Sequence, residues 1–431
     1  MKIPWKTLRI GYIMKKGVWK ASFLALTLLL MSLGMVIPTS ATSSANTTLE
    51  IEWEIIFPIL GNDGAGGLVQ TADGGFVVLS GGEINYTLIK ITANGKHEWN
   101  TTFKPLESFD FYGRKGFVQT ADEGYVILGH IGDFLDNGAD VFLYKFNATG
   151  KQEWTSTFGG DKSDWMLSMI PTQDGGLVLA GGTNYNDSLP IPLRKDYDMW
   201  LVKTDSQGVP EWNRTIGGEK SDLAGAVIQT LDGGYAITGR TDSYGLDDTH
   251  TWLVKTNVNG QPEWNKTFDG PMGMSLIQIA DGSYIIGGDN DYWFMKTDAN
   301  GTYIWDQIYT SHRNDEFKYV IQTADGGYLL GGDSLGLHYD IWFVKTDMNG
   351  QQEWNATLGD SGTERMNSFI QLSDESFIIA GSYFSDDMDT LTDTWLVKVQ
   401  VTEETVTTTG FEYGIFILNL IVVFYLSRKR R

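Results

Sequence analysis

Three short segments of the sequence carry aspartates spaced closely enough to bind calcium. The first contains Asp133, Asp136 and Asp140, the second Asp242, Asp247 and Asp248, and the third Asp386, Asp387, Asp389 and Asp393. Calcium takes about six to eight oxygen ligands, which the carboxylates and backbone carbonyls of a loop can supply. None of the segments has the EF-hand spacing, and solvated acidic loops account for the same residues. No cofactor is certain from the sequence, calcium is the candidate, and both interpretations stay open.

Nine asparagines stand in N-x-[ST] sequons, which are acceptors for N-linked glycans. They are Asn46, Asn85, Asn100, Asn147, Asn186, Asn213, Asn265, Asn300 and Asn355. Four of them belong to a recurring E-W-N-x-T segment, so duplication of that segment also explains their number. If the tryptophan of this segment faces inward on a strand, the asparagine faces solvent. We predict that some of these sites carry glycans in a host with the required enzymes.

The sequence contains no familiar catalytic motif. It has five histidines and no cysteine, and no G-x-S-x-G, H-E-x-x-H or P-loop pattern occurs. The lack of cysteine excludes disulfides, thiolate zinc sites and cysteine nucleophiles. A carboxylate pair for glycoside cleavage cannot be chosen among 54 acidic residues without geometry. No catalytic residue is predicted.

The composition is that of a folded and strongly acidic protein. Hydrophobic residues make up 42% of the 431-residue chain, which is enough for a packed core. There are 32 basic residues against 54 acidic ones, and the formal charge is −22. Nucleic acid as a partner is excluded, because its phosphates require surfaces rich in lysine and arginine.

Three residues recur seven times in the same order between positions 50 and 400. The first is the aspartate of a D-G-G-like turn, at Asp73, Asp122, Asp174, Asp232, Asp281, Asp325 and Asp374. The second is a lysine after an apolar run, at Lys90, Lys145, Lys203, Lys255, Lys296, Lys345 and Lys398. The third is a tryptophan, at Trp53, Trp99, Trp154, Trp212, Trp264, Trp305 and Trp354. A repeat of this kind indicates one supersecondary unit copied around a ring or along a stack.

Each copy reads as four short strands joined by glycine-containing turns. In the fourth copy the strands are AGAVIQT, GYAITGR, HTWLVKT and PEWNRTI. Four antiparallel strands with aromatic and glycine markers are typical of a β-propeller blade. The chain begins with an isolated E-W strand around Trp53, and the last copy stops after Lys398 without one. We therefore predict an all-β, seven-bladed propeller over 49–400, closed by the N-terminal strand, which completes the last blade.

Residues present in every copy are expected to be structural. The turn aspartates are interpreted as turn formers, the lysines as partners of interblade carbonyls or carboxylates, and the tryptophans as core. The segments that differ between copies connect the second and third strands, at 130–140, 181–198, 240–250, 331–340 and 382–393. Together with the crossovers between blades, they form one variable, acidic and aromatic face. This face is the candidate binding surface.

Both ends of the chain carry export signals. Residues 1–41 have the basic, apolar and small-residue regions of a signal peptide, and 42–48 form a Ser/Thr-rich linker. At the other end, a Thr-rich stalk (401–409) precedes a predicted transmembrane helix (410–427) and a basic tail (428–431). The positive-inside rule places that tail in the cytoplasm and the propeller outside. Without 1–41 and 410–431 the chain keeps 22 basic and 53 acidic residues, a charge of −31.

The repeat GGDKSDWMLSMIPTQDGGLVLAGG…DMWLVKTDSQGVPEW (159–212) resembles the SBBP-type β-propeller repeats of secreted archaeal and bacterial proteins, and its layout is similar to kelch blades. The C-terminal order of Thr-rich stalk, Gly-Phe, apolar helix and basic tail resembles archaeal surface-anchoring signals. The K-x-D-x-x-G-x-x-x-W hairpin is also similar to repeats of quinone-dependent dehydrogenase propellers. These resemblances imply an exported, surface-anchored propeller and no single activity.

The preferred hypothesis is a cell-surface recognition or adhesion module that binds a glycan or protein and is held in the membrane by its C-terminal helix. One alternative is a structural component of the cell envelope without a discrete ligand. Another is an extracellular enzyme, either carbohydrate-active or quinone-dependent. A central channel lined by unlike, convergent polar groups would favour the enzyme, and a flat aromatic loop face would favour adhesion.

Overall fold

The computed structural model describes residues 46–404 except 58–63, 82–84, 106–114, 133–138, 161–162, 185–196, 246–249, 289–290, 312–314, 337, 360–361, 375 and 385–391. Within these residues, 28 strands form seven four-stranded antiparallel sheets, so the predicted seven-bladed propeller is confirmed. The predicted signal peptide, membrane helix and basic tail lie outside the described residues. No helix long and apolar enough to cross a membrane occurs within the described part of the chain.

The strands follow the chain in blade order. Blade 1 contains β2 (Gly64–Gln70), β3 (Phe76–Gly81), β4 (Tyr86–Ile91) and β5 (His97–Phe103). Blade 2 contains β6 (Phe117–Gln119), β7 (Tyr125–Ile131), β8 (Asp140–Phe146) and β9 (Gln152–Phe158). Blade 3 contains β10 (Asp164–Pro171), β11 (Leu177–Asn184), β12 (Tyr197–Thr204) and β13 (Pro210–Ile216). Blade 4 contains β14 (Asp222–Gln229), β15 (Tyr235–Thr241), β16 (His250–Thr256) and β17 (Pro262–Phe268).

The remaining three blades follow the same pattern. Blade 5 contains β18 (Gly273–Gln278), β19 (Tyr284–Gly288), β20 (Tyr292–Thr297) and β21 (Tyr303–Tyr309). Blade 6 contains β22 (Glu316–Gln322), β23 (Tyr328–Leu335), β24 (Tyr339–Thr346) and β25 (Gln352–Leu358). Blade 7 contains β26 (Thr363–Gln371), β27 (Phe377–Phe384), β28 (Asp393–Glu404) and, as its fourth strand, β1 (Asn46–Phe57).

The core lies between the blades. The second and third strands are almost wholly buried because both of their faces pack against neighbouring sheets, whereas the fourth strand alternates between partly buried and exposed residues. Among the described residues, seven apolar clusters form, each shared by two adjacent blades. Each blade therefore gains its core only by stacking on its neighbours, as repeat architectures require.

The fourth-strand tryptophans pack against the next blade. Trp212 of blade 3 packs against Tyr235 of blade 4, with ring centroids 6.0 Å apart. It also lies under the blade 4 hairpin at Gly260, where φ is +70° and an added Cβ would come within 2.5 Å of the indole. Glycine is required there by both the backbone conformation and the close approach.

The ring closes as the repeat pattern predicts. β1 pairs with β28, and the closure is reinforced by an ion pair between Glu52 and Lys398 (2.7 Å). The Trp395 indole donates to Glu54, and the hydroxyls of Thr48 and Thr402 lie 2.8 Å apart. β1 and β28 are each 12 residues long and extend past the blade as a two-stranded ribbon. This ribbon takes the place of the hairpin found in the other blades.

Candidate functional site

The antiparallel order of the strands gives the propeller two different faces. The turns between the first and second strands and the hairpins between the third and fourth strands form one face, here called the turn face. The connections between the second and third strands, together with the crossovers between blades, form the opposite one, the loop face. β1 starts and β28 ends on the turn face, so both ends of the propeller leave from it.

The turn face repeats one ion-paired cluster. In blade 4, the buried ammonium of Lys255 lies 2.8 Å from the turn carboxylate of Asp232 and 2.9 Å from Glu263 of the fourth strand. The equivalent groups are Asp73–Lys90–Glu98, Asp122–Lys145–Glu153, Asp174–Lys203–Glu211, Asp325–Lys345–Glu353 and Asp374–Lys398–Glu52. Blade 5 differs, because Ile304 stands where the others have glutamate, and Lys296 donates to the Tyr328 hydroxyl (3.4 Å).

These clusters correct one expectation and support another. The lysine was expected to bridge two blades, but both of its carboxylate partners belong to its own blade, because its strand lies between the turn and the fourth strand. Burial, with the charges of Asp174 and Glu211 of blade 3, raises the pKa of Tyr235 in blade 4 to about 12, so this tyrosine stays neutral beside the blade 3 cluster. The turn aspartates do form turns, as Asp232 accepts from the Gly234 N–H (3.1 Å) and the Thr230 hydroxyl (2.5 Å).

The turn aspartates make stability depend on pH in the acid range. The hydroxyl of Thr71, the N–H of Gly75 and the ammonium of Lys90 lower the pKa of Asp73 to about 2. The pKa of Asp174, Asp232 and Asp325 is also lowered to about 2, although burial acts in the opposite direction. A carboxyl whose pKa is lower in the folded state stabilises the fold above its unfolded pKa. That contribution is lost as the pH falls from about 4 to about 2.

We expect Asp73→Asn to flatten this acid transition. At neutral pH the variant loses the charged contact with Lys90 and should be less stable by about 1 kcal/mol, a modest value because the carboxyl is exposed. Below the folded pKa of Asp73, wild type and variant should have the same stability. Urea unfolding at several pH values between 2 and 7 measures this difference. A difference that stays constant across the range would contradict the assignment.

The loop face is described only in part, and each of the three predicted sets of calcium-binding aspartates has members outside the described residues. Asp133, Asp136, Asp247, Asp248, Asp386, Asp387 and Asp389 lie outside the described residues, while Asp140, Asp242 and Asp393 are described. Among the described residues, no three acidic or histidine side chains come together as metal ligands. Asp140 and Asp393 begin the third strand of their blades, a position also held by Asp198 and Asp340. A structural role shared by the blades would also account for Asp140 and Asp393, and calcium binding by these loops stays a prediction.

The crossover into blade 4 shows how the loop face is organised. The buried carboxylate of Asp222 accepts hydrogen bonds from the Gly218 N–H (2.8 Å), the Ser243 hydroxyl (2.7 Å) and the Thr241 hydroxyl. Tyr244 is 39% exposed and donates its hydroxyl to the carbonyl of Gly217 (2.9 Å). The side chain of Tyr244 is therefore held at the surface by the hydrogen-bonded residues of this crossover.

The sequon asparagines occupy two kinds of position. Asn85, Asn100, Asn213, Asn265, Asn300 and Asn355 are exposed, Asn147 is partly buried, and the side chains of Asn46 and Asn186 lie outside the described part. Asn147 accepts from the N–H groups of Thr149 and Lys151 (both 3.0 Å) and thereby forms its hairpin. Glycosylation of these asparagines stays a prediction.

The asparagine of the E-W-N segment has a structural partner. Asn265 and Asn355 accept from the indoles of Trp252 (3.3 Å) and Trp342 (3.5 Å) on the neighbouring strand. In blade 5 the same acceptor is Asp306, and in blade 7 it is Glu54. In blades 4, 5, 6 and 7 this position therefore supplies an oxygen acceptor to the indole of the neighbouring strand, whether the residue is asparagine, aspartate or glutamate.

We expect Asn265→Asp to keep this contact and Asn265→Leu to lose it. The leucine variant leaves the Trp252 indole N–H without its acceptor, which costs about 1 kcal/mol. The aspartate variant should unfold within a few tenths of a kcal/mol of wild type, since blade 5 uses aspartate naturally. Both variants remove the sequon, so comparing them in urea separates the hydrogen bond from any glycan. Equal destabilisation by the two variants would refute the acceptor role.

The central channel carries charged residues that the repeat pattern did not single out. Asp333 of blade 6 is fully buried and pairs with Lys318 of its own blade and with the Arg365 Nε of blade 7 (3.2 Å). Arg365 also pairs with Glu316 (2.6 Å), and its guanidinium lies 4.5 Å from the Tyr339 ring centroid. These polar groups are unlike one another, the feature expected of an enzyme channel, but they neutralise one another. They join blade 6 to blade 7.

A signal for these residues was present in the sequence. Asp333 occupies the second-strand position that holds Gly182 in blade 3 and His130 in blade 2, and His130 likewise accepts from a backbone N–H of the following blade, that of Met166 (2.8 Å). Burial lowers the pKa of His130 to about 4 and keeps it neutral at physiological pH. Aligning the copies and noting departures in the two innermost strands would have found these positions.

The fold defines the class: a seven-bladed β-propeller, an architecture commonly used for protein interaction. No protein-family model and no curated protein matches the chain. Among solved structures, it is similar to a protein of unknown function from Bacteroides caccae (11% identity, TM-score 0.39, 60% of this chain and 86% of that one). It is also similar to a protein of unknown function from Dyadobacter fermentans DSM 18053 (10%, 0.43, 82% and 99%) and to YCF48 bound to D1 peptide (10%, 0.47, 80% and 94%).

Proposed function

We propose that the protein is displayed on the outer surface of the cell and binds a glycan or a protein through its loop face. The observation that carries this proposal is the contrast between the two faces. The turn face repeats almost the same ion-paired cluster from blade to blade, whereas the loop-face connections differ in length, charge and aromatic content. Repeated clusters suit a scaffold, while a binding surface needs residues that break the symmetry.

The exit of the chain supports the orientation that this function needs. β28 ends at Glu404 on the turn face, and the predicted stalk and membrane helix come next in the sequence. An anchor attached there holds the turn face toward the membrane and leaves the loop face directed outward. The charge of −31 on the exported part favours a cationic partner or contact bridged by a divalent cation.

A binding screen of the full chain in non-ionic detergent tests the proposal. The chain would be presented to a glycan array and to purified surface proteins, with and without calcium. In separate variants, the second-to-third-strand connections of blades 2, 3, 4 and 7 would be replaced by the short Asp-Asn-Asp connection of blade 5 (289–291). We expect at least one replacement to weaken binding about tenfold or more, a loss of about 1.4 kcal/mol.

The matched control exchanges one turn-face hairpin for another. Replacing 257–260 (Asn-Val-Asn-Gly) with the blade 5 sequence Asp-Ala-Asn-Gly (298–301) alters only the turn face and should leave binding unchanged. Absence of any ligand above background, or binding that survives all four loop replacements, would overturn the recognition function.

A further inference from the structure

The lysine at the centre of the ring, Lys115, has an unusual environment. The innermost strands of six blades carry a β-bulge at the same point, where the residues are Gly66, Leu167, Gly225, Met274, Lys318 and Asn367. In blade 2, Lys115 holds the same position, because it is as many residues from the strand end at Gln119 as the bulge residues of the other blades are from theirs. Its backbone forms a β-bridge with Ser168 of blade 3. Its side chain crosses the channel, because its ammonium reaches Ser275 of blade 5 and the ring of Tyr319 in blade 6.

Lys115 has no carboxylate partner among the described residues. Seven lysines with buried or mostly buried side chains each have a carboxylate oxygen within 3.0 Å, namely Lys90, Lys145, Lys203, Lys255, Lys318, Lys345 and Lys398. The Lys115 ammonium lies 3.5 Å from the Ser275 hydroxyl and 5.8 Å from the Tyr319 ring centroid. Burial lowers its pKa to about 8, so the charged form still predominates at neutral pH. Lys115 is only partly exposed, and a charge partly withdrawn from water is destabilising unless an anion compensates it.

Ser275 supplies a second donor beside the ammonium. Its oxygen accepts from the Val320 N–H (3.3 Å) as well as from Lys115 (3.5 Å). With both lone pairs of the oxygen facing donors, the hydroxyl proton must point away from them. An ammonium and a hydroxyl proton side by side can donate to the two oxygens of one carboxylate.

At the level of Lys115 the channel wall includes the partly exposed Asn367, and further along the innermost strands it is aliphatic. Three residues further along the innermost strands, all seven blades carry a β-branched residue that is partly exposed, at Val69, Val118, Ile170, Ile228, Ile277, Ile321 and Ile370. The rise of a strand places this ring about 10 Å from the level of Lys115. Leu167 and Met274, at the level of the lysine itself, are also partly exposed.

We propose that the central channel binds a small organic carboxylate, with its carboxylate on Lys115 and Ser275 and its apolar body toward the aliphatic ring. This site is separate from the loop face. Here an otherwise acidic protein offers an anion a cation that has no carboxylate beside it among the described residues. The carboxylate could belong to a free acid or to an acidic group of a larger ligand that enters the channel.

Calorimetric titration of the full chain in non-ionic detergent tests this site. The probes are hexanoate, the neutral hexanamide, and inorganic phosphate as an anion without an apolar body. We expect hexanoate to bind to wild type at least about tenfold more tightly than either comparison compound. Lys115→Met should weaken hexanoate binding about tenfold or more, and Ser275→Ala should weaken it less. Lys151→Met, which removes an exposed lysine from the same blade, should leave it unchanged.

A second measurement does not depend on a variant. Hexanoate should slow acetylation of Lys115 by an N-hydroxysuccinimide ester, followed by mass spectrometry, while Lys151 reacts at an unchanged rate. Equal binding by Lys115→Met and wild type, equal binding of hexanamide or phosphate, or no protection of Lys115 would each overturn the proposal. These outcomes are independent of the loop-face screen, so the two proposals can fail separately.

Discussion

Replacing Asp333 with leucine should destabilise the propeller by about 3–5 kcal/mol, the cost of removing one member of a buried ion pair. Asp333 is fully buried and binds Lys318, Arg365 and the backbone N–H of Met366 (2.7 Å). Arg365 keeps Glu316 after the substitution, but the buried ammonium of Lys318 loses the Asp333 carboxylate and keeps its contact with the carbonyl of Met366. Because the group joins blades 6 and 7, the loss should appear in global unfolding by urea.

A second substitution should recover most of this loss. In the double variant Asp333→Leu with Lys318→Met, no unpaired charge remains, and well-packed apolar replacements of buried ion pairs are often neutral or stabilising. Asp269→Leu serves as the control, since its carboxylate is fully exposed, 3.2 Å from His250 Nδ1, and its loss should leave the urea midpoint almost unchanged. If the double variant were as unstable as Asp333→Leu alone, desolvated charge would not be the cause.

Joining the two ends of the ring by a disulfide should stabilise the protein by up to about 5 kcal/mol. Thr48 and Thr402 face each other across β1 and β28, with their hydroxyls 2.8 Å apart and 354 positions between them in sequence. Cross-linking them restricts the unfolded chain over almost the whole propeller, and this effect grows with the length of the closed loop. The chain contains no cysteine, so Thr48→Cys with Thr402→Cys can form no other intramolecular disulfide.

Thermal unfolding of this double variant should be compared with and without reductant. The variant Thr48→Ser with Thr402→Ser is the matched control, because it keeps the hydroxyls and lacks the cross-link. We expect a large rise in melting temperature for the oxidised protein only. An oxidised protein no more stable than its reduced form would mean that unfolding does not involve separation of β1 from β28.

The repeat architecture could be predicted from the sequence because it depends on local patterns that occur seven times. Asp232 and Gly233 predict a turn, alternation around Trp212 predicts a fourth strand, and the unpaired strand at Trp53 predicts how the ring closes. Where the pattern of one copy is ambiguous, the other six copies show how to interpret it. The ion-pair partners of the lysines could not be predicted in the same way. The repeat pattern predicts that Lys255 reaches another blade, but it pairs with Asp232 and Glu263 of its own blade.

The sequence by itself therefore determined the fold class, the number of blades, the closure and the two kinds of face, since all of these follow from short-range periodicity. Only the tertiary structure decided which side chains meet in the channel. Lys115 and Ser275 are separated by 160 positions, and they approach because the ring brings the innermost strands of blades 2 and 5 to the same axis. Likewise, Asn265 is recognised as an acceptor only when Trp252 is seen beside it. Contacts of this kind depend on the curvature and register of the sheets, which local sequence patterns do not contain.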